Sequence, residues 1–304
     1  YIYMKAAAPS KEESKSPKES LDELMNIYLE KKDDLGDYEV PELEIRFGTR
    51  GIKPITKIDH DNVVKKLITL GFEVEPRGKY MLRIQNEYTD LKTGVTRMSN
   101  IRTEIEGLAN IQNYCKTNRL PDNLEEAPYV SFEQKFLYRD NEKTYYPVNF
   151  DDFNFRAAFN IEKMWGSGSG MIRDLVKTWG DNKKIFRFIN RYTLRHPTLP
   201  VHVDISIVKD SKRNGRNYIP EYNVSESRVF EAIEKYEIEI EVDHNRVGYE
   251  YISVPADFVA MIKKAIKYIL CGLQETNYPI SYKELSDVLE SYDMLVNNTP
   301  SRGD

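Results

Sequence analysis

The chain has 304 residues, a formal net charge of −5, 40% hydrophobic and 31% charged residues, enough for one large domain with flanking elements or two ordinary ones. That charge excludes a uniformly basic coat for nucleic acid but leaves room for a local basic channel, and two cysteines in no CxxC or zinc spacing exclude a disulfide framework and fit a reducing compartment. No apolar run approaches the roughly 20 residues of a membrane-spanning helix and no signal-peptide core opens the chain, so a soluble intracellular protein is expected.

Residues 1–19 are small, charged and proline-broken, a composition that cannot offset the entropy of ordering. Disorder is expected there, with a single folded domain over 20–296 and a flexible end at 297–304. Tyr1 in place of an initiator methionine fits an excised segment. Ser20 can cap a helix with Leu21, Leu24, Met25, Tyr28 and Leu29 on its apolar side. The next stretch, Pro41-Glu-Leu-Glu-Ile-Arg-Phe-Gly48, alternates Glu42, Glu44 and Arg46 with Leu43, Ile45 and Phe47 and reads as a strand. Asp59 or Asp61 can cap a helix that stops at Gly71.

From Tyr80 to Glu106 the period is two, which predicts a hairpin carrying Asn100, Arg102 and Glu104 on one face. A further strand over Tyr129–Arg139 sets Glu133, Lys135 and Arg139 against Phe132, Phe136 and Tyr138. Residues 150–181 are less regular and read as a loop and a short helix; Gly166-Ser-Gly-Ser-Gly170 has the composition of a flexible, even an engineered, linker. Ile185–Arg195 places Arg187, Arg191 and Arg195 opposite Phe186, Phe188, Tyr192 and Leu194, and Val201–Lys209 is its expected antiparallel partner. Asp204 and Lys209, five residues apart, fall on opposite faces of a regular strand, so a bulge or a strand end is expected there. His60, His196, His202 and His244 are scattered and read as structural or surface residues.

Lys235-Tyr-Glu-Ile-Glu-Ile-Glu-Val-Asp243 sets Glu237, Glu239 and Glu241 in a row about 6.6 to 7 Å apart on one face. Like charges at that spacing repel, so something cationic must face them. A helix then begins at Pro255 with Phe258, Val259, Ile262, Ile266, Ile269 and Leu270 inward, and Ser281-x-x-Glu284 is a capping box for a last helix. The tally is seven or eight antiparallel strands flanked by helices. Because the apolar face of each charged strand is large and aromatic, those faces need burial beneath helices, and the charged faces point into a hydrated interior. A single Glu-x-Glu strand is ordinarily a solvated sheet face. Two such strands that meet would instead make an oxygen-rich site for a hard divalent cation, and arginines beside it would suit a polyanion such as a phosphate ester. Competing motifs are absent: there is no GxxxxGK[ST], no GxGxxG and no HExxH, and Lys57-Ile-Asp-His60 lacks the glycine of a nucleotidyl-transfer motif.

Glu42-Leu-Glu-Ile-Arg-Phe-Gly48 with Tyr236-Glu-Ile-Glu-Ile-Glu241 resembles the paired glutamate strands of the triphosphate tunnel metalloenzymes. Within them the resemblance is to the RNA 5′-triphosphatase domain of large DNA virus mRNA capping enzymes, related to poxvirus and fungal triphosphatases. It is supported by Arg187–Tyr192, by Asp204–Lys209 and by Tyr278-Pro-Ile-Ser281. It implies an α+β fold: an eight-stranded antiparallel closed β-barrel, the triphosphate tunnel, flanked by helices. It implies Mg²⁺ or Mn²⁺ held by Glu42, Glu44, Glu239 and Glu241, with catalytic roles for these, Glu237, Arg187 and Arg191. Phosphate contacts would come from Arg46, Arg102, Lys135, Arg187, Arg191 and Lys209. The activity implied is metal-dependent removal of the γ-phosphate from 5′-triphosphate RNA, in the cytoplasm, in a viral factory or in a virion. Guanylyltransferase and methyltransferase modules are the implied partners. Hydrolysis of tripolyphosphate or another small triphosphate, and a silent module that binds RNA ends in a capping complex, remain alternatives.

Overall fold

The computed structural model describes residues 16–51, 53–89, 93–141, 143–247 and 255–297. Eight long strands carry the fold: β1 (Glu39–Phe47), β2 (Lys79–Thr89), β3 (Ile101–Glu106), β4 (Val130–Leu137), β5 (Phe155–Met164), β6 (Lys184–Arg195), β7 (Val201–Asp210) and β8 (Lys235–Val242). Around the sheet the order is β6-β7-β8-β1-β5-β4-β3-β2, and β2 pairs back onto β6. The sheet is therefore a closed antiparallel barrel with no free edge among these eight strands, and its interior has room for side chains or one small ligand. The expected Tyr80–Glu106 hairpin is present, with Glu87–Thr89 pairing Thr96–Met98 before β3 pairs the middle of β2.

The sequence reading placed a loop where β5 runs. Its odd positions Phe155, Phe159 and Ile161 are buried on the outer face while Arg156, Asn160 and Glu162 face the interior. The Ala157–Ala158 pair blurs that alternation, since alanine carries almost no signal of face. The short helix expected in the same region does form, and Ser169 of the glycine-serine run caps it through the Ile172 amide.

The helices lie outside the barrel: α1 (Pro17–Lys31), α2 (Lys57–Thr69), α3 (Leu108–Thr117), α4 (Gly170–Lys177), α5 (Val224–Ser227), α6 (Pro255–Leu273) and α7 (Tyr282–Asn297). Ser16, rather than Ser20, caps α1 in a reciprocal box with Glu19, so residues 17–19 form its first turn and the rest of the segment expected to be disordered, 1–15, lies outside the described residues. Thr56, rather than Asp59 or Asp61, caps α2, and Asp59 is the acidic partner of that box. Ser281 and Glu284 form the anticipated box before α7; the end expected to be flexible lies outside the described residues beyond Asn297.

One core packs α1, α2 and α6 onto the outer faces of β1, β5, β7 and β8, where Leu43, Ile45, Phe159, Val203, Ile238 and Ile240 are fully or almost fully buried. Each such side chain contributes about 1.5–3 kcal/mol. Tyr28 sits edge-on to Phe159 (5.4 Å) and stacks on Phe258 (5.9 Å), joining α1, β5 and α6. A second core joins Leu82, Ile84, Ile105, Phe132 and Phe186 of β2, β3, β4 and β6 to Tyr114 of α3 and Ile172 of α4. With apolar faces outward and covered, the charged faces have only the barrel interior left to them. No helix among the described residues is long and apolar enough to cross a membrane.

Candidate active site in the barrel interior

The interior is a cavity of about 470 Å³ whose charged lining comprises Glu42, Glu44, Glu162, Glu237, Glu239 and Glu241, with Arg46, Arg83, Arg102, Lys135, Arg156, Arg187 and Arg191. The two glutamate strands are neighbours: β1 pairs β8 with Glu44 opposite Glu241 and Arg46 opposite Glu239. All five glutamates singled out from sequence face this cavity, as do Arg46, Arg102, Lys135, Arg187 and Arg191. Lys209 does not. The β7 register is regular from Val201 to Asp210, without a bulge, so Lys209 points outward beside Phe188, donates to the Phe230 carbonyl (3.3 Å) and lies 3.7 Å from Glu234.

Each acidic row is neutralised by its neighbours. Lys135 reaches from β4 to hold Glu42 (2.5 Å) and Glu44 (2.7 Å) together, and Asn160 Nδ2 donates to both (3.5 and 3.3 Å). Arg46 binds Glu239 (2.6 Å) and approaches Glu237 (3.4 Å). Arg187 bridges Glu237 (2.5 Å) and Asp210 (2.9 Å), and Arg191 bridges Asp204 (2.7 Å) and Glu239 (3.5 Å). The arginines of β6 thus lie one strand away from the glutamates of β8 rather than across the tunnel. Across from β8 stands β3, which carries Arg102, and across from β1 stands β2, which carries Arg83.

The two mouths differ. Arg46, Arg102, Arg156 and Arg187 lie within three residues of strand ends at one mouth, whereas Glu42, Glu162 and Glu241 lie within three residues of strand ends at the other. Burial pushes the Glu162 carboxyl up to about 10, helped by the charges of Glu42 and Glu133, so it carries a proton at neutral pH. Burial likewise lifts Glu42 to about 7 against the pull of Lys135. Burial opposes ionisation of Glu241 too, yet the hydrogen bond and charge of His202, with Arg191 and Lys135, draw it down to about 2. Glu239 is also held below the ordinary carboxylate range by Arg46 and Arg191 despite its burial. The seven cationic side chains on this wall come from six of the eight strands, and the carboxylates that hold them include Asp204 and Asp210 behind the lining.

Sequence reasoning missed Arg83, Arg156, Asn160 and Glu162, and it set His202 aside as structural or surface. His202 instead points inward from β7, with its Nε2 3.1 Å from Glu241 Oε2. One potential ligand atom each from His202, Asp204 and Glu241 lie within 4.8 Å of one another. The signal was the parity of β7, which puts His202, Asp204, Ser206 and Asp210 on the face opposite Val203 and Ile205.

The donor set fits a divalent cation. Glu42 and Glu44 already converge on one positive charge, the Lys135 ammonium, and a carboxylate raised by burial gains from a closer cation.

No protein-family profile and no curated protein matches the chain. Among solved structures, the mimivirus capping enzyme triphosphatase aligns with 13% identity and a TM-score of 0.49, covering 84% of this chain and 98% of that one. The S. pombe Pct1 RNA triphosphatase aligns with 12% identity and a TM-score of 0.40, covering 95% and 98%. The same enzyme in complex with the Spt5 CTD aligns with 11% identity and a TM-score of 0.37, covering 96% and 95%.

Proposed function

We propose that this chain is a metal-dependent RNA 5′-triphosphatase that hydrolyses the γ-phosphate from triphosphate-ended RNA. The observation that carries the reading is a single tunnel in which paired carboxylates stand beside seven cationic side chains drawn from six strands. A triphosphate offers oxygens along its length for several guanidinium forks at once, whereas a monoanion meets only one or two of them.

Glu42 and Glu44 would hold Mg²⁺ or Mn²⁺, with Glu241 and Glu239 beside them, and His202 and Asp204 add a nitrogen and an oxygen donor at the same end. When bound, the cation would neutralise charge on the phosphoryl oxygens. Lys135, which lines the cavity beside Glu42 and Glu44, would meet the same oxygens. Arg187 and Arg191 are fixed on two carboxylates each, so they need little reorganisation as charge develops on the γ-phosphoryl group. Glu239, held ionised, orients the attacking water; a loose phosphoryl-transfer transition state asks little of a base. The diphosphate-ended product is the acceptor that a guanylyltransferase module would use, with a methyltransferase module acting after it.

The test is phosphate release from γ-labelled triphosphate RNA with Mg²⁺, with Mn²⁺ and with chelator. Release that requires either metal supports the reading. Binding of the RNA without release would favour a silent end-binding module, and faster release from tripolyphosphate than from RNA would move the substrate to a small triphosphate.

A further inference from the structure

Between β7 and β8 the chain leaves the arginine-rich mouth and folds into a small hairpin in which Arg213 and Asn214 pair with Tyr218 and Asn217. The two-residue turn opens with Gly215 at φ +59°, a conformation that suits glycine. Tyr218 is the one described residue of the β7–β8 connection that lines the tunnel. The Arg213 guanidinium lies over its ring, 3.9 Å from the centroid. Arg213 is also 3.6 Å from Asp210, which in turn holds Arg187 and Lys235 (2.6 Å). The ring is therefore set in register with Arg187 through shared ion pairs. Burial, and next the Asp210 charge, raise the Tyr218 hydroxyl above its ordinary value, so the ring stays neutral.

Resting on the hydrolase reading above, we propose that Tyr218 and Arg213 form a nucleoside subsite at this mouth, seating the first nucleoside of a 5′-triphosphate chain whose phosphates run into the tunnel. A phosphate-only ligand has no use for an aromatic ring, whereas every nucleobase has a π-face that stacks on tyrosine or on an arginine plane. Stacking of this kind does not read base identity, so the subsite separates nucleotide-bearing triphosphates from inorganic tripolyphosphate without selecting a sequence. Arg216, exposed on the same turn, is placed to meet the phosphates that follow.

The test compares KM for a triphosphate-ended oligoribonucleotide with KM for tripolyphosphate in the full chain and in Tyr218→Ala, Tyr218→Phe and Arg213→Ala. The ratio of the two KM values should rise about ten-fold in Tyr218→Ala, rise less in Arg213→Ala and return toward the wild type in Tyr218→Phe. An unchanged ratio, whether both KM values move together or neither moves, would reduce Tyr218 to a prop for Arg187 and overturn the subsite. Absence of turnover of either substrate by the wild type would instead strike the hydrolase reading. In that event, calorimetry with a β,γ-imido nucleoside triphosphate and with imidotriphosphate decides the subsite. A nucleoside preference erased by Tyr218→Ala sustains it, and equal affinities overturn it.

Discussion

At the scale of single residues, like-charge repulsion between glutamates is the smaller effect, because nearly every carboxylate in the tunnel has a cationic partner within 4 Å. Glu239 is the clearest case: it is 7% exposed and held by Arg46 and Arg191. Removing it takes one carboxylate from each of two half-buried guanidinium groups, leaving Arg46 with Glu237 and Arg191 with Asp204, and breaking a buried pair costs up to about 3–5 kcal/mol. Glu239→Gln should therefore lower both turnover and the Tm of the metal-free protein, while Glu42→Gln, at a carboxyl already raised toward neutrality, should lower turnover with little loss of Tm. Thermal melts in chelator separate the two, and equal Tm values for the pair would refute this ranking. Arg187 and Arg191 offer a second comparison. A lysine keeps the charge but cannot bridge two carboxylates in one plane, so Arg→Lys at either site should reduce kcat more than it raises KM. A change confined to KM would make them anchors. Much of this was legible in the glutamate rows and in the spacing of Arg187 and Arg191. The partners were not, because Lys135 meets Glu44 across 91 positions of sequence and only barrel closure brings them together.

At the scale of elements, alternation revealed seven of the eight barrel strands and failed at β5, where Ala157 stands in for a large outer residue and Ala158 and Asn160 stand in for charges on the inner face. Helix bodies were legible from apolar spacing, but two starts moved four and three residues upstream, to Ser16 and Thr56, since a capping box can be written at several nearby polar positions. Packing between helices was not legible at all. Gly272 on α6 stands so close to α2 that an added Cβ would lie 2.8 Å from the Val63 Cα, a backbone atom that cannot swing away. Gly272→Ala should therefore destabilise by about 1–3 kcal/mol as the two helices are pushed apart. Gly166→Ala, where nothing lies within 4 Å, is the matched control. Denaturant melts of the two variants measure the difference, and equal midpoints would show that α2 and α6 can slide without cost.

At the scale of the whole molecule, the barrel stores charge that a cation would relieve, and this links stability to pH. Glu42 has an ordinary value of 4.5 and a folded value of about 7. Below 4.5 it is protonated in both states and costs nothing. Between 4.5 and 7 the unfolded chain ionises first, so stability falls as pH rises, and above 7 the full cost of the buried charge is borne. Glu162, with a folded value of about 10, extends the decline to higher pH. His202, raised above 6.5, adds to it, since stability present below its ordinary value is lost as pH passes its folded one. Glu241 acts in the other direction: its folded value of about 2 gives stability above 4.5 that disappears as pH falls from 4.5 toward 2. From these groups, the metal-free protein should be most stable near pH 4.5–5 and lose Tm toward pH 8. Mn²⁺ competes with the proton on Glu42, so it should raise Tm more at pH 8 than at pH 5, by a margin on the order of 5 °C. Glu42→Gln should flatten the metal-free decline and shrink the metal-dependent margin together. Scanning calorimetry at both pH values, with Mn²⁺ and with chelator, measures all four corners of this comparison. A margin that survives Glu42→Gln intact would place the cation elsewhere in the barrel, at the His202, Asp204 and Glu241 group.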